Sequence, residues 1–243
     1  MIKFKTLNWW QGFSQSCPLI RAICDALGDR FVCIDATSDD VPDIVLASGF
    51  GHDPATHKCP HLFIQGENPI RWRHHANTFN LPQLGWIDDG NQSCNLPDWY
   101  CRYDELLNPG PICDRINRVC SMYRNLYPHR EDMIAYHRAI RINETDKIKA
   151  IAKYAFNVAV ENSYAPFYIS EKLTDACVAG CIPIYKGGDL INTPFNQERI
   201  ILPYHQLPSD PSEMLAMPIL NDDASDMFAE RKSKLQRFLV RVL

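Results

Sequence analysis

The chain has 243 residues and 46% hydrophobic content, enough for one large or two small domains with a sizeable core. Its net charge of −4 lacks the basic footprint of a nucleic-acid binder, which excludes that role as the main one. No window reaches the ~18 consecutive apolar residues of a membrane span.

The first part alternates apolar runs with helical periodicity. Pro18 opens a helix whose Leu19, Ile20, Ile23, Cys24 and Leu27 share a face, and Gly28 closes it. FVCID (31–35), DIVLAS (43–48) and HLFIQ (61–65) read as strands separated by loops, the pattern of a parallel sheet with crossovers. The loop from Glu67 to Pro82 is rich in His, Arg and Asn, including the basic-aromatic run Arg71, Trp72, Arg73, His74, His75. A stretch dense in Pro, Gly and Asp follows, and Asn108-Pro109-Gly110-Pro111 is the best linker candidate. It divides the chain into 1–110 and 111–243.

Beyond the linker, 113–123 reads as helix or strand, 130–140 as helix, and 146–155 as a helix with Ile148, Ile151, Ala152 and Ala155 inward. FNVAV (156–160) is a buried strand, ENSYAPFYI (161–169) a loop in which Pro166 bars a helix, and Ser170 an N-cap. A helix follows, with Leu173, Ala176, Cys177 and Gly180 on one face; then comes the strand CIPIY (181–185) and a Lys186-Gly187-Gly188 turn. Strand, loop, helix, strand is a βαβ unit, and ligands of such sheets bind beyond the strand carboxyl ends. A helix amino end there offers N–H groups and a positive dipole to an anion. Residues 199–204 read as a further strand.

The last segment places Met227, Phe228, Leu235, Phe238, Leu239, Val242 and Leu243 near helical spacing, with Arg231, Lys232, Lys234, Arg237 and Arg241 between them. Two readings stand: a terminal helix packed on the body, or a basic amphipathic helix lying on an anionic membrane surface. Ten cysteines would suit disulfides in a secreted chain, but MIKFKTLNWW lacks a sustained apolar stretch. Cys33, Cys177 and Cys181 sit in apolar runs, so most thiols are expected reduced and buried. Zinc is the alternative, though there is no C-x-x-C pair, and Cys177 with Cys181 makes only two ligands. The expected location is the cytoplasm, with peripheral contact at the inner membrane face if residues 227–243 bind lipid.

The residues GEN (66–68), ENS (161–163), SEKLTDA (170–176) and GCIPIY (180–185) resemble the α-1,3/4-fucosyltransferases that use GDP-fucose, glycosyltransferase family 10. That family carries F-N-x-x-x-E-N, a short aromatic loop, [ST]-E-K, a helix and a P-[IV]-Y-x-G strand. The counterparts here are Phe156, Asn157, Glu161, Asn162, Tyr168, Ser170, Glu171, Lys172, Pro183, Tyr185 and Gly187. Outside this segment and GEN the match is weak: NTFNLPQLGWIDDG (77–90) only faintly echoes the family's D-Y-A-I-G-F-D-like stretch.

The resemblance implies an α/β, GT-B-like fold, with two Rossmann-like domains facing a central cleft. Residues 1–110 would then form the acceptor side and 111–243 the nucleotide-sugar side. It implies Glu67 as general base, where the bare residues would also fit a turn, and Glu171 as the carboxylate facing the fucosyl ring. It assigns the donor to Lys172, Arg130, Asn162, Ser163 and Tyr168; Arg124, Arg138 and Arg141 remain rivals to Arg130. Asp39-Asp40, Asp88-Asp89 and Asp222-Asp223 occur but no D-x-D does, so protein cations are expected to hold the diphosphate, with neither metal nor cofactor. Glu161 and Glu171 are ten apart, against the pair of glutamates eight apart often seen in retaining enzymes of this architecture. The expected partners are GDP-fucose and a GlcNAc-containing or lipopolysaccharide-type glycan, joined in an α-1,3 or α-1,4 fucoside. Transfer of another GDP-6-deoxyhexose, or a non-catalytic nucleotide- or glycan-binding role, is the alternative.

Overall fold

The structure, a computed structural model, describes residues 2–7, 17–28, 31–34, 39–48, 58–64, 82–85, 88–89, 92–111 and 114–242. The chain forms two compact units, Met1–Cys101 with Phe228–Leu243, and Arg102–Met227. The division lies a little before the 110/111 boundary read from the sequence. The Pro-Gly run belongs to the second unit, where the Gly110 N–H donates to the Val178 carbonyl at 2.8 Å.

The first unit holds strands β1 (Ile2–Leu7), β2 (Phe31–Cys33), β3 (Ile44–Ser48), β4 (His61–Ile64), β5 (Gln83–Gly85) and β6 (Ser93–Asn95) in the order β2-β1-β3-β4-β5-β6, all pairs parallel. Helix α1 (Pro18–Leu27) starts on a proline whose missing N–H costs nothing in a first turn, and it stops at Gly28, whose φ of 71° suits glycine. Its buried face is Ile20, Ala22, Ile23 and Ala26, turned slightly from the expected stripe, with Leu19 and Leu27 half-buried. Strand β3 is buried throughout, as a central parallel strand covered on both faces must be. A short helix α2 (Asp98–Cys101) follows β6.

The second unit runs through α3 (Tyr103–Leu107), β7 (Ile116–Ser121), α4 (Pro128–Tyr136), β8 (Ile140–Arg141), α5 (Lys147–Ile151), β9 (Tyr154–Val160), α6 (Glu171–Val178), β10 (Ile182–Lys186) and α7 (Ser212–Ala216). Its sheet is parallel, in the order β10-β9-β7-β8. Phe156, Val158 and Val160 of β9 and Ile182 and Ile184 of β10 pack with Val119 and Met133 into one core. Each such side chain contributes about 1.5–3 kcal/mol by leaving water.

The helix read over 146–155 is shorter. Asp146 caps it by accepting from the Lys149 N–H at 3.1 Å, and Tyr154 already pairs with Ile116 in the sheet. Residues 199–204 are not a strand: a 3₁₀ turn (Gln197–Arg199) and a single parallel bridge from Ile201 to Ile184 take their place.

The terminal helix α8 (Ala224–Val242) buries Leu235, Phe238 and Leu239, and Phe228 stacks on Tyr100 with centroids 4.8 Å apart. Its apolar face is therefore covered, as in the body-packed reading. No described helix is long and apolar enough to cross a membrane. Cys94, Cys120, Cys177 and Cys181 are buried thiols, while Cys17, Cys24, Cys33, Cys59 and Cys101 are half-buried.

Candidate active site

At the carboxyl end of β9 the chain leaves the sheet as Glu161-Asn162-Ser163, and it re-enters order at the amino end of α6. Glu161 joins the two. Its side chain is 2% exposed, an expensive place for a carboxylate unless it is bonded on all sides. Oε1 accepts the Ser170 N–H at 2.8 Å, and Oε2 accepts the Ser170 hydroxyl at 2.6 Å. Lys172 Nζ lies 3.4 Å from Oε2. Burial raises the Glu161 pKa, and the charge of Lys172 and the Ser170 bonds only partly offset it.

Ser170 is the N-cap residue by backbone, with φ −84° and ψ −172°, but its hydroxyl caps nothing in the helix. It donates to Glu161 and accepts from Lys172 at 2.8 Å instead. The ammonium of Lys172 thus has three partners: Ser170 Oγ, Glu161 Oε2 and, at 3.1 Å, Glu171 Oε1. The first two are buried; the Glu171 side chain is 51% exposed. Burial acts to raise the Glu171 pKa, but the positive charges of Lys172 and then Lys147 outweigh it and hold the carboxyl at about 2. Burial acts to lower the Lys172 pKa; the two glutamates more than reverse it.

On the other side, α4 and the turn before it finish the end of β9. The Tyr123 hydroxyl donates to the Val158 carbonyl and accepts from the Val160 N–H, each at 2.6 Å, standing in for a neighbouring strand. Arg130 is 2% exposed and lies over the rings of Tyr123 and Tyr127, 4.4 and 5.1 Å from their centroids. It donates to the Val160 carbonyl at 3.2 Å, to the Asn125 carbonyl at 2.8 Å and to Asn162 Oδ1. His129 Nε2 sits 2.9 Å from the Glu161 carbonyl. The solvated helix-end state that Arg130 would have had by default is therefore not what is found. The rivals Arg124, Arg138 and Arg141 are exposed.

Glycines set the floor. A Cβ on Gly187 would strike the Glu161 side chain and the Tyr185 hydroxyl, and one on Gly188 would lie within 3.0 Å of the Ala165, Pro166 and Tyr168 carbonyls. The exit from β10 thus passes against the 161–169 loop with no room for a side chain. Tyr168 is buried in that loop, and Phe167 and Tyr164 are exposed on it.

Of the residues expected to bind the donor, Arg130, Asn162, Glu171 and Lys172 are brought together here. Ser163 and Tyr168 lie on the same loop, and Glu67 is outside the described residues, as are Arg71 to His75. Glu161 and Ser170 are the residues whose part the sequence reading missed. The available signal was a charge directly after an apolar strand and three residues spanning a helix start. Among the described residues no three His, Cys, Asp or Glu side chains cluster closely enough to hold a metal.

The two parallel units define a GT-B glycosyltransferase fold. A solved α1,3-fucosyltransferase with GDP superposes with a TM-score of 0.66 at 16% identity, over 98% of this chain and 90% of that one. The same enzyme type with GDP-fucose gives 0.57 at 15% identity, over 100% and 82%. In sequence, the chain is 31% identical over 109 residues to GDP-fucose protein O-fucosyltransferase 3 of Danio rerio. That match takes in 44% of this chain and 22% of the relative, so the chain matches about a fifth of the length of that protein. No family model matches. The fold neighbours and the curated relative are fucosyltransferases, the same kind of enzyme that the GEN, ENS and SEK residues resemble.

Proposed function

We propose that this chain is an inverting, metal-independent fucosyltransferase that moves L-fucose from GDP-β-L-fucose to an acceptor hydroxyl. The observation that carries the reading is Lys172, held from behind by the buried Glu161 and Ser170 at a helix amino end beyond the strand carboxyl ends. Its contact with Glu171 is the one on the exposed side, and the diphosphate exchanges with it. Glu171, released, then faces the sugar.

Glu67 takes the proton of the acceptor hydroxyl as that oxygen attacks C1 of fucose on the side away from the phosphate. The bond from C1 to the β-phosphate oxygen breaks, and its electron pair leaves with GDP, whose charge is met by Lys172 and the N–H groups of α6. Glu171 offsets the positive charge that builds on the ring. One displacement turns the β-linked donor into an α-fucoside. Arg130 and Tyr123 keep Asn162 and the end of β9 in place around the donor.

Two acceptors have support. The α1,3-fucosyltransferase fold neighbours support an α-1,3 fucoside, and the resemblance of the residues to the α-1,3/4 family adds a glycan hydroxyl as acceptor, with α-1,4 as the other linkage. The curated relative favours a hydroxyl of a polypeptide. The test is to incubate the purified chain with GDP-fucose and chelator, adding N-acetyllactosamine in one arm and a Ser- and Thr-containing polypeptide in the other. GDP release with an α-fucosylated product in either arm supports the proposal and names the acceptor class. GDP-fucose binding without turnover in both arms points to a binding protein. Turnover with a different GDP-6-deoxyhexose alone would replace fucose as the transferred sugar.

A further inference from the structure

A cavity lies within the first unit. Helix α8 and the segment around β6 enclose an open cavity of about 450 Å³, within the usual range of small-ligand sites. Its floor is apolar, formed by Phe238 and Cys94, which are 4% and 3% exposed. Ser93 and Asp88 stand on one wall. Lys234, Arg237 and Arg241 stand on the other, spaced three and four residues apart so that they share one helix face.

The charged groups of the described residues around this cavity are positive on balance. Arg231 Nη1 forms an ion pair with Asp88 Oδ2 at 3.5 Å. Lys234 pairs with Glu230 at 3.0 Å, and the Glu230 side chain is 67% exposed, so that pair is weak and screened. Arg237 spends one N–H on the Ser233 hydroxyl, and Arg241 lies 5.6 Å from the centre of the Phe238 ring. Burial and then Asp88 raise the Cys94 thiol to about 11, while Arg231, Lys234 and Arg241 all pull it down, so three cations direct their field at the cavity floor. In a chain with a net charge of −4 this is a local concentration of positive charge.

We propose that this cavity binds a sugar-sized ligand carrying an anionic group, a carboxylate, sulfate or phosphate. The anion is held by Lys234, Arg237 and Arg241 in exchange for the exposed Glu230, and the rest of the ligand fills the cavity above its apolar floor. A membrane surface fits less well, because Leu235, Phe238 and Leu239, which would have to enter lipid, are buried. The site goes beyond the transferase reading and needs no turnover to test.

The experiment is calorimetric titration of the whole chain with glucose 6-phosphate and, separately, with glucose. Saturable binding of the phosphate sugar is expected, with a Kd of about 1 mM or tighter, and none of glucose. The double variant Arg237→Ala/Arg241→Ala should weaken that binding about tenfold or more with an unchanged thermal midpoint, since both side chains are exposed. Equal binding by the variant would place the anion elsewhere and overturn the proposal, and so would no binding by the unaltered chain. Binding to phosphatidylserine vesicles without binding of glucose 6-phosphate would overturn it in favour of a membrane surface.

Discussion

Cations meet both ends of helix α6, yet they do different work. At the carboxyl end, Arg115 donates to the Ala179 carbonyl at 2.7 Å and to the Ala152, Tyr154 and Pro111 carbonyls. Arg199, fully buried, donates to the Gly180, Met214, Leu215 and Met217 carbonyls. These guanidiniums are enclosed by protein acceptors and serve the fold. At the amino end, Lys172 has two buried partners and one exposed partner, Glu171, that a ligand can displace. Arg199, whose partners are all main-chain carbonyls, is structural; Lys172 becomes a binding group because its partner Glu171 stands in water.

The largest effect is expected at the structural end. Arg199→Ala takes the guanidinium away from the Gly180, Met214, Leu215 and Met217 carbonyls and should cost about 3 kcal/mol of stability, while the folded fraction keeps its GDP affinity. Gly180→Ala should cost about 1–3 kcal/mol in the same denaturation experiment. The residue has φ +73°, and a Cβ there would sit 2.6 Å from the Gly110 carbonyl oxygen. Either variant losing GDP affinity with its fold intact would erase the contrast between the two ends.

Lys172→Ala should weaken GDP binding by about 1–3 kcal/mol, which Arg199→Ala does not, and it also costs stability by leaving the buried Glu161 without its cation. Glu67→Gln should remove most transfer, a loss on the order of 10²–10⁴-fold, while GDP binding stays near that of the unaltered chain; activity close to normal would move the base to another residue.

The smallest effects are in pH dependence, and they have opposite signs on one lysine. Glu171 is held at about 2, below its usual value, so it contributes stability that is present above about 4.5 and is lost as pH falls toward 2. Glu161 is raised, so its ionisation removes stability as pH rises from about 4.5 through its folded value. In thermal melts against pH, Glu171→Gln should therefore converge on the unaltered chain in acid, and Glu161→Gln should gain on it as pH rises. Parallel curves for both variants would mean that neither carboxylate changes its affinity for protons on folding.

Much of the second unit could be read in advance because its signals are local. FNVAV and CIPIY are short runs rich in apolar residues, and the helix between them starts after a proline-containing loop. Strands β5 and β6 were not legible, since Gln83–Gly85 and Ser93–Asn95 are three residues each without an apolar run. The helix ending at Ile151 was read too long because Ala155 keeps helical spacing, and only pairing of Tyr154 with Ile116 decides for strand. Ser170 was read as a cap because a hydroxyl before a helix usually caps; the burial of Glu161 claims it instead. Arg130, expected at the donor, also gives three of its N–H groups to Val160, Asn125 and Asn162, partners that the sequence does not announce. Such assignments depend on which groups are buried together, which one-dimensional spacing does not encode.

The most direct test of the central claim is calorimetric titration of GDP, with chelator present, into the unaltered chain and Lys172→Ala. Metal-independent binding that weakens by about tenfold or more in the variant is the predicted result. Equal affinity in the two proteins would contradict the assignment of the amino end of α6 as the diphosphate site.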